Sequence, residues 1–225
     1  ESAGRREVLT GVPVGRWDGG RGARAAWVDR RVRVDGSGCQ LGWTKVEQRI
    51  VLGCGYSITA NLGEGVSQGG ELEVSYMPVA GLTLGAGFGY TDAHLKSDVP
   101  GTPAKNGDRL TNVPRFTGSL SAEYRRRVNA EYMGFMRADI GFIGNATFLY
   151  DRTSPFYRRG GFATTNLRVG VEGNSGFDVS LYATNIFDKR GETDLPVAIS
   201  ADLPTTRRVA LNQPRTVGVT VQYHY

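Results

Sequence analysis

The chain has 225 residues, of which 40% are apolar, 22% are charged and 32 are glycines, and its formal net charge is +5. No apolar run approaches the roughly 18 residues that a transmembrane helix needs, so the sequence excludes a helical membrane protein. The modest basic excess permits an anionic membrane surface or nucleic acid as a partner without requiring either. Cys39 and Cys54 are too few for a disulfide framework, and whether they pair is left open.

Residues 1–41 differ in composition from the rest of the chain. They contain eight arginines, no lysine and many small residues, and they show no sustained apolar period of two or 3.6 residues. We treat 1–41 as an unassigned segment, for which disorder and translation in a shifted reading frame are the two interpretations. We expect the structured part to be residues 42–225.

From Trp43 onward, apolar residues alternate with small or polar ones. Leu82, Leu84 and Phe88, for example, share one parity, while Thr83 and glycines hold the other. This period is typical of strands that separate two environments. It predicts an all-β fold with eight strands, near residues 43–52, 55–76, 81–93, 112–126, 131–150, 162–173, 176–187 and 212–225.

The predicted connections alternate between short and long. Short links fall at 77–81, 125–131 and 173–176, and long ones at 94–111, 151–161 and 188–211. A tight turn at 53–54 is the exception. Short turns on one side and long loops on the other are typical of an antiparallel transmembrane β-barrel of the outer-membrane kind.

Aromatic residues on the apolar parity cluster at the predicted strand ends. This clustering predicts two interfacial girdles, although aromatics also favour strands in general. The predicted girdle residues are Tyr76, Tyr124, Tyr132, Phe177, Tyr223 and Tyr225 on the short-turn side, and Tyr90, Phe148, Tyr150 and Phe187 on the other.

Charged residues take the opposite parity, as expected for a wet lumen. An Arg or Lys on the lipid face would cost about 2–4 kcal/mol at mid-depth. A soluble β-sandwich with one solvated face would give the same alternation, so that alternative stays open. The predicted lumen-facing residues are Arg115, Glu123, Arg137, Asp139, Arg168 and Glu172.

The sequence offers no catalytic constellation. His94 and His224 are the only histidines, which supports neither a Ser/His/Asp arrangement nor a histidine metal site. Residues 85–89 contain three alternating glycines but lie inside a predicted strand, without the following helix that a phosphate site needs. We therefore expect no enzyme activity, no cofactor, no metal site and no nucleic-acid partner.

Five stretches of the sequence form a recognisable series. They are SQGGELE at 67–73, PVAGLTL at 78–84, NVPRFT at 112–117, YATNIFDKR at 182–190 and QPRTVGV at 213–219. In composition and order, these stretches resemble the C-terminal part of the β-barrel of TonB-dependent outer-membrane receptors.

The resemblance implies uptake of a scarce ligand, such as a ferric siderophore, vitamin or saccharide, across the outer membrane of a Gram-negative bacterium. It implies a plug domain, an inner-membrane TonB energy-coupling complex, and contact with outer-membrane lipid and lipopolysaccharide. Because the family's barrels have 22 strands, eight strands would be a fragment of about a third. The closing strand looks like the family's signal for the barrel assembly machinery, carried by Val217, Val219, Val221, Tyr223 and Tyr225.

In the long loops, Phe156, Tyr157, Arg158 and Arg159 are the candidate ligand-side contacts. The alternatives to a receptor fragment are a complete eight-stranded outer-membrane barrel with a structural or adhesion role, and a soluble β-sandwich binding module.

Overall fold

The computed structural model describes residues 7–10, 21–43, 47–51, 57–61, 63–194, 197–198 and 207–224. Over these residues the chain is all-β, as the alternation predicts, and none of its segments is a helix long and apolar enough to cross a membrane. Tyr225 and Cys54 lie outside the described residues, and Cys39 is a free, exposed thiol.

Sixteen strands are present in the described part of the chain. In chain order they are β1 (Glu7–Thr10), β2 (Arg21–Val28), β3 (Val32–Trp43), β4 (Glu47–Val51), β5 (Ser57–Asn61), β6 (Gly65–Tyr76), β7 (Leu82–Leu95), β8 (Phe116–Arg127), β9 (Tyr132–Ile143), β10 (Ala146–Thr147), β11 (Arg158–Arg159), β12 (Phe162–Gly173), β13 (Phe177–Thr184), β14 (Val197–Ala198), β15 (Arg207–Arg208) and β16 (Thr216–Tyr223).

Ten of these strands form one antiparallel sheet, in the order β1-β2-β3-β6-β7-β8-β9-β12-β13-β16. Each strand pairs with the preceding and following sheet strand along the chain, which is an up-and-down meander. Within the described residues, β1 and β16 pair on one side only, so the sheet does not close on itself. The prediction of antiparallel barrel strands is confirmed, but ten strands of the sheet are described where eight were expected.

The first predicted strand is corrected by the structure. Residues 47–51 and 57–61 pair with each other as the hairpin β4–β5, outside the main sheet. The connection between β3 and β6 therefore spans residues 44–64 and is long. Positions 53–54 lie within this connection and outside the described residues, so they no longer interrupt the alternation of short and long connections between the sheet strands.

The structure also differs from the expectation for residues 1–41. Strands β2 and β3 pair along Arg21–Val28, and β3 pairs with β6 over its whole length, so the sheet crosses the expected boundary at residue 41. The alternation is weak here because small residues, such as Ala25, Gly36 and Gly38, occupy the apolar parity. Residues 21–43 therefore contribute a pair of up-and-down strands to the main sheet.

The two faces of the main sheet have opposite chemistry. Directly paired residues such as Leu120 and Ile140 share one face, while Glu123 and Arg137 share the other. The apolar face is uncovered: Leu120 is 52% exposed, Leu181 55% and Val219 60%. In the described residues no second sheet packs on it, which argues against the β-sandwich alternative.

Two of the short turns depend on a glycine. Gly81 and Gly176 have φ angles of +84° and +86°, in the region that favours glycine. A Cβ at Gly81 would also collide with the carbonyl oxygen of Arg125, and one at Gly176 with that of His224. These turns set the register of β6 with β7 and of β12 with β13.

Candidate functional site

An ion-pair network crosses the polar face near the short-turn edge. Glu123 on β8 accepts hydrogen bonds from Arg125 Nε at 2.7 Å and from Arg137 Nη1 at 3.2 Å. Arg137 also donates from Nη2 to Asp139 at 2.7 Å, and Arg125 reaches Glu172 on β12. Charge-assisted bonds between Arg and carboxylate are among the stronger polar contacts, so the network ties β8, β9 and β12 together.

The remaining predicted lumen residues lie at the margins of this network. Arg168 is opposite Arg137 in the register and contacts Thr220 Oγ1 at 3.4 Å, with its guanidinium 5.8 Å from the Tyr182 ring. Arg115 lies just before β8 begins and contacts Asp92 Oδ1 at 3.4 Å. Five of the six predicted residues therefore share the polar face, and Arg115 lies in the long connection beyond it.

The long connections carry their own small cores. Tyr150 is 5% exposed and packs with Ala93, Leu95 and Val99, while Phe148 is 2% exposed and packs with Leu149. Burial raises the pKa of the Tyr150 phenol above its usual range. The assignment of Phe148 and Tyr150 to an aromatic girdle is therefore wrong. Residues 144–161 leave the main sheet, so strand parity no longer applies to them.

The other described girdle candidates are exposed. On the apolar parity, Tyr76 and Tyr223 lie near the short-turn edge and Tyr90 near the long-loop edge. All seven have partly or largely exposed side chains: Tyr76, Tyr90, Tyr124, Tyr132, Phe177, Phe187 and Tyr223.

The four candidate ligand-side residues divide into two pairs. Phe156 packs against the Phe148–Leu149 core, and Arg159 is buried, with its guanidinium donating to the carbonyl oxygen of Glu192 at 3.0 Å. Burial lowers the pKa of Arg159. Tyr157 and Arg158 instead line a cavity, and the Arg158 guanidinium lies 5.3 Å from the Tyr157 ring centre.

That cavity, of about 480 Å³, lies between the β7–β8 and β9–β12 connections. Its walls bring together four guanidinium groups and one carboxylate. They are carried by Arg109, Arg115, Arg152, Arg158 and Asp108. Such a concentration of guanidinium groups favours oxyanions, which arginine can hold through paired hydrogen bonds.

The arginines of this basic cavity are not equivalent. Arg152 donates to Asp108 at 2.8 Å, which neutralises both groups. Burial, and then repulsion from Arg115, lowers the pKa of Arg109, whose Nη2 donates to the carbonyl oxygen of Val113 at 3.1 Å. Sequence reasoning missed Arg109, Arg152 and Asp108, because single charged residues in separate loops carry no pattern that shows them to be neighbours.

One face of the terminal strand β16 is regularly apolar. Val217, Val219, Val221 and Tyr223 share the apolar parity, and all four are exposed. Phe177 lies opposite Tyr223 with ring centres 4.7 Å apart. In the described residues β16 pairs with β13 alone, so its other edge is available for a further strand.

The described residues contain no group of three or more His, Cys, Asp or Glu side chains that could hold a metal ion. Two surfaces carry most of the charged side chains described above. One is the paired charges of the polar face, and the other is the basic cavity among the long connections.

The fold and its two faces define a wall segment of an antiparallel β-barrel. The chain belongs to the TonB-dependent receptor-like β-barrel family, whose model matches residues 12–186. The match begins well before residue 42, which agrees with the strands found in residues 21–43. The members of this family are receptors and transporters of the Gram-negative outer membrane.

Solved receptor structures share this fold at low sequence identity. The ferric yersiniabactin uptake receptor FyuA from Yersinia pestis is 18% identical with a TM-score of 0.72, covering 91% of this chain and 29% of its own. BauA, the ferric preacinetobactin receptor from Acinetobacter baumannii, is 16% identical with a TM-score of 0.65, covering 97% and 33%. The copper transporter OprC is 12% identical with a TM-score of 0.68, covering 91% and 30%. The chain thus spans about a third of these receptors.

Proposed function

We propose that the chain forms part of the barrel wall of a TonB-dependent receptor that imports a scarce ligand through the outer membrane of a Gram-negative bacterium. The observation that carries this proposal is the two-faced sheet, with a bare apolar surface on one side and paired charges on the other. Its long connections all lie at one edge. A wall between hydrocarbon and a polar lumen needs this combination.

A single ten-stranded sheet with free outer edges would leave backbone groups unpaired in lipid, where no water can satisfy them. We infer that further strands pair with β1 and β16 in the working barrel, so that the chain supplies a part of a larger, 22-stranded wall. The exposed apolar residues of β16 would serve as the assembly signal read by the barrel assembly machinery.

The ligand class that we propose is a ferric siderophore. Support comes from the receptors that share the fold, two of which are described as receptors for ferric yersiniabactin and ferric preacinetobactin. Many iron chelates carry carboxylate or catecholate oxygens, which arginine binds well. Phe156, Tyr157, Arg158 and Arg159 lie among the long connections and remain the candidate ligand contacts.

The proposal also assigns partners to the polar face. A plug domain would lie against the face that carries Glu123, Arg125 and Arg137, because a charged wall needs a polar neighbour or water. Import against a gradient would draw on the TonB energy-coupling complex of the inner membrane.

The test uses cells that express the complete protein from its own locus under iron limitation. We expect the protein in the outer-membrane fraction with heat-modifiable migration, and we expect radiolabelled iron from a siderophore panel to enter only when TonB is present. Deleting the gene should abolish uptake of one panel member. The proposed function would be contradicted if the deletion left the uptake of every siderophore in the panel unchanged, although the protein is correctly inserted in the parent strain.

A further inference from the structure

Two of the residues that line the basic cavity, Arg109 and Phe116, lie on the apolar face of the wall. Arg109 forms an isolated antiparallel bridge with His94, near the end of β7. Because side chains alternate along a strand, His94 shares a face with Tyr90 and Phe88. Arg109, directly opposite His94, lies on the same face. Tyr90 and Asp92, both of that parity, are among the groups that act electrostatically on Arg109.

An aromatic cluster lies immediately beside the arginines. Phe116 lines the cavity, and its ring centre is 5.3 Å from that of Tyr90 and 5.9 Å from that of Phe88. All three rings are exposed on the apolar face. From mid-sheet toward the long connections, this face therefore changes from aliphatic to aromatic and then to cationic, the order found where hydrocarbon gives way to headgroups.

The charges of the cavity are only partly balanced within the protein. Asp108 pairs with Arg152, and Asp92 contacts Arg115 at 3.4 Å. Among the described residues, Arg109 and Arg158 form no ion pair with a carboxylate. The Nε atom of Arg109 is buried and has no hydrogen-bond partner in the described part of the chain. An anion would satisfy this donor and balance the repulsion between the guanidinium groups.

We propose that Arg109 and Arg158 bind a phosphate group on the headgroup of an outer-membrane glycolipid, with Phe116 and Tyr90 against its acyl chains. The inference rests on the proposed outer-membrane location but not on the identity of the imported ligand. A lipid is favoured over a soluble anion because Arg109 and Phe116 both belong to the lipid-facing side. Phosphate matches the fork of an arginine in geometry and charge.

The test measures the lipid that stays with the protein purified from outer membranes in mild detergent. Mass spectrometry should detect bisphosphorylated lipid A, and the double variant R109Q/R158Q should retain at least about tenfold less. The matched control is R126Q/R127Q, which removes the same charge at the short-turn edge. It should retain lipid A as the unchanged protein does. Equal retention by R109Q/R158Q would overturn the proposal.

A second measurement does not depend on any variant. Unchanged protein in phosphatidylcholine nanodiscs should bind bisphosphorylated lipid A at least about tenfold more tightly than dephosphorylated lipid A. Equal affinity would contradict a phosphate site. Displacement of the lipid by inorganic phosphate or by the imported siderophore at similar concentration would assign the cavity to a soluble anion instead.

Different results would contradict the proposed lipid site and the proposed receptor function. Heat-modifiable migration of R109Q/R158Q shows that the barrel is assembled, and its iron uptake can then be compared with its lipid content. Loss of bound lipid A from R109Q/R158Q that still shows heat-modifiable migration supports the lipid site, whatever the iron uptake of this variant. Absence of uptake in the unchanged protein, with lipid A bound, counts against the proposed function alone.

Discussion

Arg125 on β8 holds Glu172 on β12 through two parallel hydrogen bonds, from Nη1 to Oε2 at 3.0 Å and from Nη2 to Oε1 at 2.7 Å. The two residues are separated in the sheet by β9, so the contact passes over an intervening strand. The guanidinium also lies 5.6 Å from the Phe135 ring of β9. This pair clamps three strands on the face that we assign to the lumen.

Breaking the clamp should have a small but measurable effect on stability. Both side chains are partly exposed to solvent, at 45% and 34%, so screening limits the contribution of the pair to about 1 kcal/mol or less. We expect E172Q to lower the free energy of unfolding in lipid vesicles by that amount. The control is E71Q on the same face, because Glu71 forms no ion pair among the described residues. An effect of E172Q no larger than that of E71Q would show that the clamp is not stabilising.

A new charge on the apolar face should be far more costly than one on the polar face. Leu120 lies on the apolar parity in the middle of β8, and its neighbour Ser119 lies on the other. We expect L120R to destabilise the assembled barrel by about 2–4 kcal/mol and S119R by much less. Urea titration in vesicles measures both. Similar losses for the two variants would contradict the assignment of faces.

The Asn185 side chain forms hydrogen bonds to both ends of the β13–β16 connection. The residue is buried, with a φ of +48°, and its Nδ2 donates to the carbonyl oxygens of Lys189 at 3.0 Å and Gln213 at 2.9 Å. Its Oδ1 accepts from the Lys189 amide at 2.9 Å. We expect N185A to cost about 1–3 kcal/mol, because the backbone groups of Lys189 and Gln213 lose their partly buried hydrogen bonds to this side chain.

Limited proteolysis within residues 185–215 reports this loss. The N185A protein should be cut faster there, while N174A, which loses a single exposed contact to the Ala130 carbonyl oxygen at the other edge, should be cut at the unchanged rate. Unaltered cleavage of N185A would show that the connection is held by other contacts.

The strength of the hydrogen bond between the Arg215 amide and the Asp188 carboxylate should depend on pH. A hydrogen bond from the Arg215 amide, at 2.9 Å, together with nearby arginines, lowers the pKa of Asp188. A lowered pKa means that the contribution is complete above about pH 3.9, the usual value for Asp, and is lost as the pH falls through the folded-state pKa. The protection factor of the Arg215 amide should therefore fall on acidification below about pH 4. In D188N it should stay constant across this range, and a parallel fall there would assign the change to another group.

The sequence predicts the fold best where large apolar residues alternate with polar ones. Strands such as β7, with Leu82, Leu84 and Phe88 on one face, are recognisable because lipid contact demands apolar bulk at every second position. Strands β2 and β3 were not predicted because small residues, namely Ala25, Gly36 and Gly38, occupy the same parity. Small side chains are compatible with either face and leave no periodic signal.

The candidate site was predicted only in part, for a different reason. The charges of the network follow from strand parity, since Glu123, Arg137 and Asp139 all oppose the apolar positions. The basic cavity depends on how two long connections fold, and Arg109 and Arg158 are 49 positions apart along the chain. Strand parity also gave a wrong prediction for Phe148 and Tyr150, which were assigned to an aromatic girdle. They lie in a connection that packs on itself, and such packing buries aromatic side chains whatever their parity.

The most direct test of the account labels adjacent positions on two strands with nitroxides and compares collisions with oxygen and with a water-soluble nickel chelate. Single cysteines are placed at Leu84 and Val219 and at their neighbours Thr83 and Thr220, in protein whose Cys39 and Cys54 are replaced by serine. In the complete receptor reconstituted in lipid, positions 84 and 219 should meet oxygen and exclude nickel, while 83 and 220 should do the reverse. Nickel access at 84 and 219, with 83 and 220 protected, would contradict the assignment of the apolar face to lipid.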